Sequence, residues 1–130
     1  MPATPRQTDQ SAPHKQLVLI LSQDVVAAAL LGGLVETLGY DVQFARPLES
    51  AEDCVRRVKP RICLVDCTDP VSHRSEFFGR ATMRGVSVVI YGTPEALERV
   101  RAVALAHNFD TLLMPPELNA LEAVLQRAVA

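Results

Sequence analysis

The stretch that most constrains the fold is residues 38–70, LGYDVQFARPLESAEDCVRRVKPRICLVDCTDP. It holds an apolar run, a polar segment of helical character and a second apolar run, and Asp66 stands where that second run stops. Continuous apolar runs are typical of strands that are buried on both faces of a parallel sheet. Open α/β sheets place their binding and reacting groups at the carboxyl ends of the strands. The neighbours of Asp66 therefore determine which chemistry this chain can support.

The same alternation continues on both sides of this stretch. The pattern predicts strands at residues 17–21, 40–45, 61–66, 86–91 and 110–114, and helices at residues 24–38, 48–58, 72–83, 93–107 and from residue 116 onward. Five alternations of strand and helix predict an α/β fold, a doubly wound parallel sheet with helices on both faces and right-handed crossovers.

Length and composition predict one folded domain at residues 16–130, preceded by a flexible N-terminal tail at residues 1–15. The tail contains three prolines and no apolar period. The first 16 residues lack the apolar segment of a secretory signal, and no apolar run reaches the length of a membrane span, so we expect a cytoplasmic protein without a membrane partner.

The charge balance argues against a nucleic-acid-binding protein. The chain carries 13 basic and 15 acidic residues, a net charge of −2, whereas nucleic-acid surfaces need a clustered basic excess. A local basic run is present at Arg56, Arg57, Lys59 and Arg61. We interpret it as a solvated helix end, where cations favour the negative end of the helix dipole.

The three cysteines do not have the spacing of a zinc site. Cys63 lies inside an apolar run and is expected to be a small buried side chain. Cys67 follows Asp66, and we expect it to be partly exposed.

The segments GYDVQFA and KPRICLVDCTDP, with the helix between them, resemble the second strand, second helix and third strand of the receiver domain of bacterial two-component response regulators. The resemblance spans about residues 16–130. It implies a flavodoxin-like sheet of strand order 2-1-3-4-5 and places Asp66 at the family's phosphoacceptor position. The pair Met114-Pro115 matches the lysine-proline pair after the fifth strand, and the resemblance implies a cis peptide bond there.

Several positions depart from the family's pattern. Ser22 and Gln23 stand where receivers carry two adjacent acids, although Asp24 follows. The lysine position holds Met114, and the aromatic position in the fifth strand holds Thr111. The threonine or serine position after the fourth strand holds Gly92, although Thr93 is adjacent. Asp24 and Asp66 are thus the only weak candidates for metal ligands.

These departures argue against the family's reaction. Magnesium is held by carboxylates and waters in near-octahedral geometry, and one or two isolated carboxylates bind it weakly at best. Phosphoryl transfer depends on positioning and on neutralising charge, which methionine at position 114 does not do. We therefore predict a degenerate receiver, or pseudo-receiver, that is not an enzyme, uses no cofactor and acts independently of phosphorylation.

The resemblance also suggests an interaction surface on the fourth helix, fifth strand and fifth helix of the fold. Candidate contact residues there are Glu95, Glu98, Arg99 and Arg101. The expected partners are signalling proteins, either a histidine kinase or a downstream target, and a homodimer is a further possibility.

Two alternatives stay open at this point. In the first, Asp66 accepts a phosphoryl group from a histidine kinase despite the altered pocket. In the second, the chain is a small cofactor-binding α/β protein. The loop at residues 22–24 does not favour this second alternative, because it lacks the glycines that a close approach of phosphate requires.

Overall fold

The computed structural model describes residues 15–130 of the chain. The predicted tail at residues 1–15 therefore lies outside the described residues, apart from Lys15. The strands are β1 (Leu17–Leu21), β2 (Asp41–Phe44), β3 (Ile62–Asp66), β4 (Ser87–Gly92) and β5 (Asp110–Leu113). The helices are α1 (Val25–Thr37), α2 (Ala51–Val58), α3 (Ser75–Met83), α4 (Pro94–Arg99), α5 (Arg101–His107) and α6 (Leu118–Val129), with a 3-10 turn at Pro70–His73.

The five strands form one parallel sheet in the order β2-β1-β3-β4-β5, which confirms the predicted fold class. The central strand β3 is buried along its whole length, as its continuous apolar run predicts. Ile62 and Leu64 belong to the core that α1 and α6 complete. Cys63 and Val65 belong to the opposite core, beneath α2, α3, α4 and α5. The alternation of a strand's side chains thus divides one sheet between two cores.

Three helices begin with the capping residues that the sequence indicates. The side chains of Asp24, Ser50 and Thr93 accept hydrogen bonds from the backbone N–H groups of Ala27, Asp53 and Ala96. Such caps satisfy N–H groups that have no partner inside the helix.

Glycine at position 32 permits the close packing of α1 on the sheet. A Cβ atom there would lie 2.9 Å from the Phe44 ring. Gly33 has no such neighbour within 4 Å, and the helix continues through both glycines without a break.

Four predicted helices have clearly different bounds in the structure. The predicted helix at residues 48–58 begins at Ala51, because Leu48 has a positive φ of 64° and Ser50 caps the helix. The predicted helix at residues 93–107 divides at Val100, whose backbone leaves the α region and whose N–H bonds to the carbonyl of Leu97 in the tighter 3-10 manner. The predicted helix at residues 72–83 begins only at Ser75. A separate 3-10 turn at Pro70–His73 comes before it, and the Asp69 side chain caps that turn at Val71 N. The last helix begins at Leu118 rather than Pro116.

Within residues 15–130, none of the helices combines the length and the apolar character that crossing a membrane requires.

Candidate functional site at the carboxyl edge of the sheet

Asp66 is the last residue of β3, and both oxygens of its carboxylate accept hydrogen bonds from neutral donors. Only 8 % of the residue is exposed. Its Oδ2 accepts a hydrogen bond of 2.7 Å from Ser22 Oγ. Its Oδ1 accepts bonds of 2.9 Å from the Thr68 backbone N and 2.8 Å from Thr68 Oγ1. Three donors thus stabilise the negative charge, and the described residues form no ion pair with it.

Ser22 connects this carboxylate to the start of α1. Its hydroxyl donates to Asp66 and accepts a bond of 3.0 Å from the backbone N of Asp24. The Asp24 carboxylate in turn accepts a bond of 3.1 Å from Ala27 N. Asp24 is therefore committed to the helix cap, and both it and Gln23 are exposed. The first loop offers the pocket a hydroxyl group where receivers offer an acid.

Cys67 fills the space that the missing side chain at position 92 would need. We expected Cys67 to be partly exposed, and this was wrong, because only 3 % of it is exposed. A Cβ atom on Gly92 would lie 2.2 Å from Cys67 Sγ, a distance that no side chain tolerates. Burial raises the pKa of the Cys67 thiol, and the nearby Asp66 carboxylate raises it further. The thiol is therefore a packing group and a poor nucleophile.

The remaining positions of the predicted pocket serve as structural groups. Met114 is half-buried and packs against the core beneath α1 and α6. The peptide bond between Met114 and Pro115 is cis, as the resemblance implied. Thr93 uses its hydroxyl to cap α4, with 3.3 Å between Oγ1 and Ala96 N. Thr111 is exposed in the edge strand β5, beside Ile90 of β4. The Asp66 hydrogen-bond network includes Ser22 and, through it, Asp24, but not Thr111 or Met114.

Two residues of the pocket were missed at the sequence level. Thr68 forms an Asx-type turn with Asp66, and its spacing of two residues was a readable signal. Tyr91 pairs with Asp66 across β3 and β4 and is only 2 % exposed. Its hydroxyl has no hydrogen-bond partner among the described residues. Burial raises the pKa of Tyr91 to about 12, and the nearby Asp66 carboxylate also raises it.

The donor set of the pocket fits magnesium poorly. Among the side chains that the structure describes, which do not include that of His73, no three histidine, cysteine, aspartate or glutamate residues come together as metal ligands do. Of the two weak candidates, Asp66 has its oxygens occupied and Asp24 caps α1. A hard dication that needs several anionic oxygens has a single buried carboxylate available here.

The predicted interaction surface is exposed as expected. Glu95, Glu98, Arg99 and Arg101 all lie on the surface of α4 and the start of α5. Arg101 and Glu98 form an ion pair of 3.1 Å. Two large apolar side chains, Leu105 and Leu113, extend this surface and are 71 % and 57 % exposed. They form a hollow between α4, α5 and β5 together with Phe109.

Solved structures with this architecture are numerous and consistent. A protein described as pilus assembly-related, from Burkholderia pseudomallei, is 24 % identical, with a TM-score of 0.68 over 92 % of this chain and 95 % of that one. The signal receiver domain of a modulated diguanylate cyclase from Desulfovibrio desulfuricans is 22 % identical, with a TM-score of 0.67 over 89 % and 94 %. The chemotaxis protein CheY4 of Vibrio cholerae is 18 % identical, with a TM-score of 0.70 over 88 % and 99 %.

The chain has the receiver-domain fold. The solved receiver domains cover 88–89 % of it and match its five-stranded parallel sheet. At these levels of identity the likeness establishes the fold alone. No protein-family model and no curated protein sequence matches the chain.

Proposed function

We propose that this chain is a cytoplasmic, receiver-like signalling module that works through protein contacts and without phosphorylation or a cofactor. One observation carries the proposal. The Asp66 carboxylate, at the phosphoacceptor position of the fold, is satisfied by the Ser22 and Thr68 hydroxyls and the Thr68 backbone N–H. A charge that is already stabilised by neutral donors needs no cation for its burial.

The rest of the pocket supports the same conclusion. An acyl phosphate on Asp66 would carry added negative charge and need positive groups to stabilise it. Met114 supplies none at the lysine position. Cys67 Sγ fills the place beside Gly92 where a hydroxyl-bearing side chain would stand. The pocket thus keeps the receiver scaffold without the lysine and the hydroxyl side chain that the resemblance places around the phosphoacceptor.

The proposed contact face is the surface of α4, α5, β5 and α6, which correspond to the predicted fourth helix, fifth strand and fifth helix. Exposed apolar side chains beside an exposed ion pair, which contributes little stability, are typical of surfaces that bind other proteins. Leu105 and Leu113 supply the apolar part, and Glu98 and Arg101 supply the charged rim. We propose that a signalling protein, a histidine kinase or a downstream target, docks on this face.

The proposal is tested by incubating the protein with acetyl phosphate and magnesium and measuring its intact mass. We expect no phosphoryl adduct on the wild-type chain, with a conventional receiver domain as the positive control. A stoichiometric adduct that disappears in Asp66→Asn would establish the alternative, a receiver that is phosphorylated on Asp66. The Asp66→Asn variant keeps the shape of the side chain and therefore serves as the matched control.

The cofactor-binding alternative has its own test. The melting temperature of the purified protein is measured with and without nucleotides and flavins, which stabilise any protein that binds them in the folded state. We expect no shift, and a saturable rise with one ligand would replace the signalling proposal.

A further inference from the structure

A groove runs along the surface between α2 and α3, two helices that are not part of the contact face proposed above. Its floor is apolar and is formed by Val55, Phe77, Ala81 and Val86. These side chains are buried, between 1 % and 6 % exposed, so the floor is part of the folded core. The two ends of the groove share Val55 and Arg84, which makes it one continuous surface.

Four basic side chains stand along this groove, Arg56 and Lys59 from the region of α2 and Arg80 and Arg84 from the region of α3. We call this feature the basic groove. Arg56 pairs with Asp53 and Arg80 pairs with Glu76, each within one helix turn and more than half exposed. Exposed pairs of this kind contribute little energy, so both guanidinium groups are available to a ligand.

Lys59 and Arg84 are the more informative pair. Both are exposed, and neither has an ion-pair partner among residues 15–130. They approach the same end of the groove from different helices, since both line the hollow beside Pro60. Two like charges that line one hollow without a counter-charge favour the binding of an anionic ligand there.

The four residues of the basic run at positions 56–61 have two different roles in the structure. Arg57 forms two hydrogen bonds to the Glu49 carboxylate, and its cation is therefore neutralised within the fold. Arg61 bonds to the carbonyls of Gly85 and Val129, which fixes the ends of two elements. The prediction of a solvated helix end thus describes only part of the run. Arg56 and Lys59 have no such structural duty and turn toward the basic groove.

We propose that the basic groove binds an acidic peptide segment of a partner protein, with an apolar side chain between its acidic residues. Arginine forks bind carboxylates in pairs of parallel hydrogen bonds, and the methylene stems of the groove's arginine and lysine side chains offer contact to an aliphatic side chain. The chain as a whole has a net charge of −2. An acidic ligand is therefore attracted to the local positive charge of the groove rather than to the surface as a whole.

A peptide fits the groove better than a nucleic acid does. Phe77 is only 1 % exposed and offers no ring face on which a base could stack. The acidic residues Glu52, Asp53 and Glu76 interrupt the basic side chains. A polyphosphate backbone, which carries charge at every step, would be repelled by these acids, whereas a peptide with spaced acidic residues would avoid them.

The test uses fluorescein-labelled peptides and fluorescence anisotropy on the whole chain. One peptide consists of Glu-Glu-Leu repeats, and its neutral counterpart consists of Gln-Gln-Leu repeats. We expect saturable binding of the acidic peptide alone, weakened by added salt because the contacts are exposed charges. The double variant Lys59→Glu and Arg84→Glu should weaken that binding by roughly tenfold or more, since it places like charges opposite the ligand.

A matched control separates the groove from net charge. The double variant Lys15→Glu and Arg46→Glu makes the same change in charge at exposed residues outside both the groove and the contact face. It should leave binding nearly unchanged, and circular dichroism should show both variants folded. Failure of the acidic peptide to bind, equal loss in both double variants, or tighter binding of a single-stranded oligonucleotide would each overturn the proposal.

Discussion

The pocket around Asp66 and the basic groove both gather charged or polar side chains, but they differ in how those groups are satisfied. In the pocket, Ser22 and Thr68 supply three donors to one carboxylate. In the groove, Lys59 and Arg84 line the same hollow without an ion-pair partner among the described residues. A site whose polar groups are satisfied within the fold gains little from a ligand. A site that is left unbalanced gains more.

The largest expected effect is at Gly92, where the pocket is filled by a neighbour. Gly92→Ser would bring its Cβ to 2.2 Å from Cys67 Sγ, so we expect a loss of about 2 kcal/mol or more in the free energy of unfolding. Urea denaturation measures this loss. Adding Cys67→Ala to Gly92→Ser removes the clashing sulfur and should restore most of the stability. A single variant as stable as the wild type would show that Cys67 does not fill the pocket.

The second effect tests whether Asp66 is stabilised or repelled by its surroundings. Asp66→Ala leaves the Ser22 and Thr68 donors without their acceptor, so we expect a loss of about 1–3 kcal/mol in the free energy of unfolding. Asp66→Asn keeps an acceptor and should cost less. In the basic groove, Arg84→Ala should change stability by less than about 0.5 kcal/mol. An Asp66→Ala variant more stable than the wild type would mean that the pocket repels its carboxylate.

The third prediction concerns the pH dependence of the melting temperature. It compares Arg57, which is paired with Glu49, with the unpaired cations of the basic groove. Hydrogen bonds from the Arg57 side chain, and then from the Arg46 backbone, lower the pKa of Glu49 from 4.5 to about 2. A carboxyl whose pKa is lower in the folded state contributes stability above its ordinary pKa and loses it as pH falls. The melting temperature should therefore fall between pH 4.5 and pH 2.

The control for the pH prediction exchanges the paired cation for a neutral side chain. Arg57→Gln should flatten the decline in melting temperature over that range, whereas Arg84→Gln should leave its slope as in the wild type. Equal slopes in all three proteins would refute the assignment of the decline to this ion pair.

The smallest effect is expected at Tyr91, the pocket's one polar atom without a partner among the described residues. Tyr91→Phe removes a buried hydroxyl that loses its hydrogen bonds to water on folding and gains none in the protein. The free energy of unfolding should therefore stay the same or rise by up to about 1 kcal/mol. Thermal and urea unfolding measure the change. A clear loss of stability would show that the hydroxyl bonds to Ser22 and belongs to the Asp66 network.

The sequence predicted the scaffold well, because its signals are local. The bounds of β1 were predicted residue for residue, and Asp24, Ser50 and Thr93 cap the helices that their positions indicate. The division at Val100 could not be predicted, since Leu97, Val100 and Ala104 keep the spacing of one continuous helix.

The pocket was harder to predict, because its contents depend on contacts between strands. A residue that follows a strand end, such as Cys67, is expected in an exposed turn. Its burial depends on the space beside Gly92, a residue of the neighbouring strand β4. Tyr91 was missed for the same reason, since it meets Asp66 only through the register of β3 and β4. The sequence shows at which positions the chain departs from the receiver pattern. Only the structure shows which side chains occupy the space of the lost groups.

The proposal that the Asp66 pocket is complete without a metal or a phosphoryl group is tested most directly by NMR. Magnesium and beryllofluoride, which together imitate the phosphorylated state of an aspartate, are titrated into the labelled protein. We expect the amide resonances of Ser22, Asp24 and Thr68 to stay in place up to millimolar concentrations. Saturable shifts of these resonances, with a bound adduct on Asp66, would contradict the proposal.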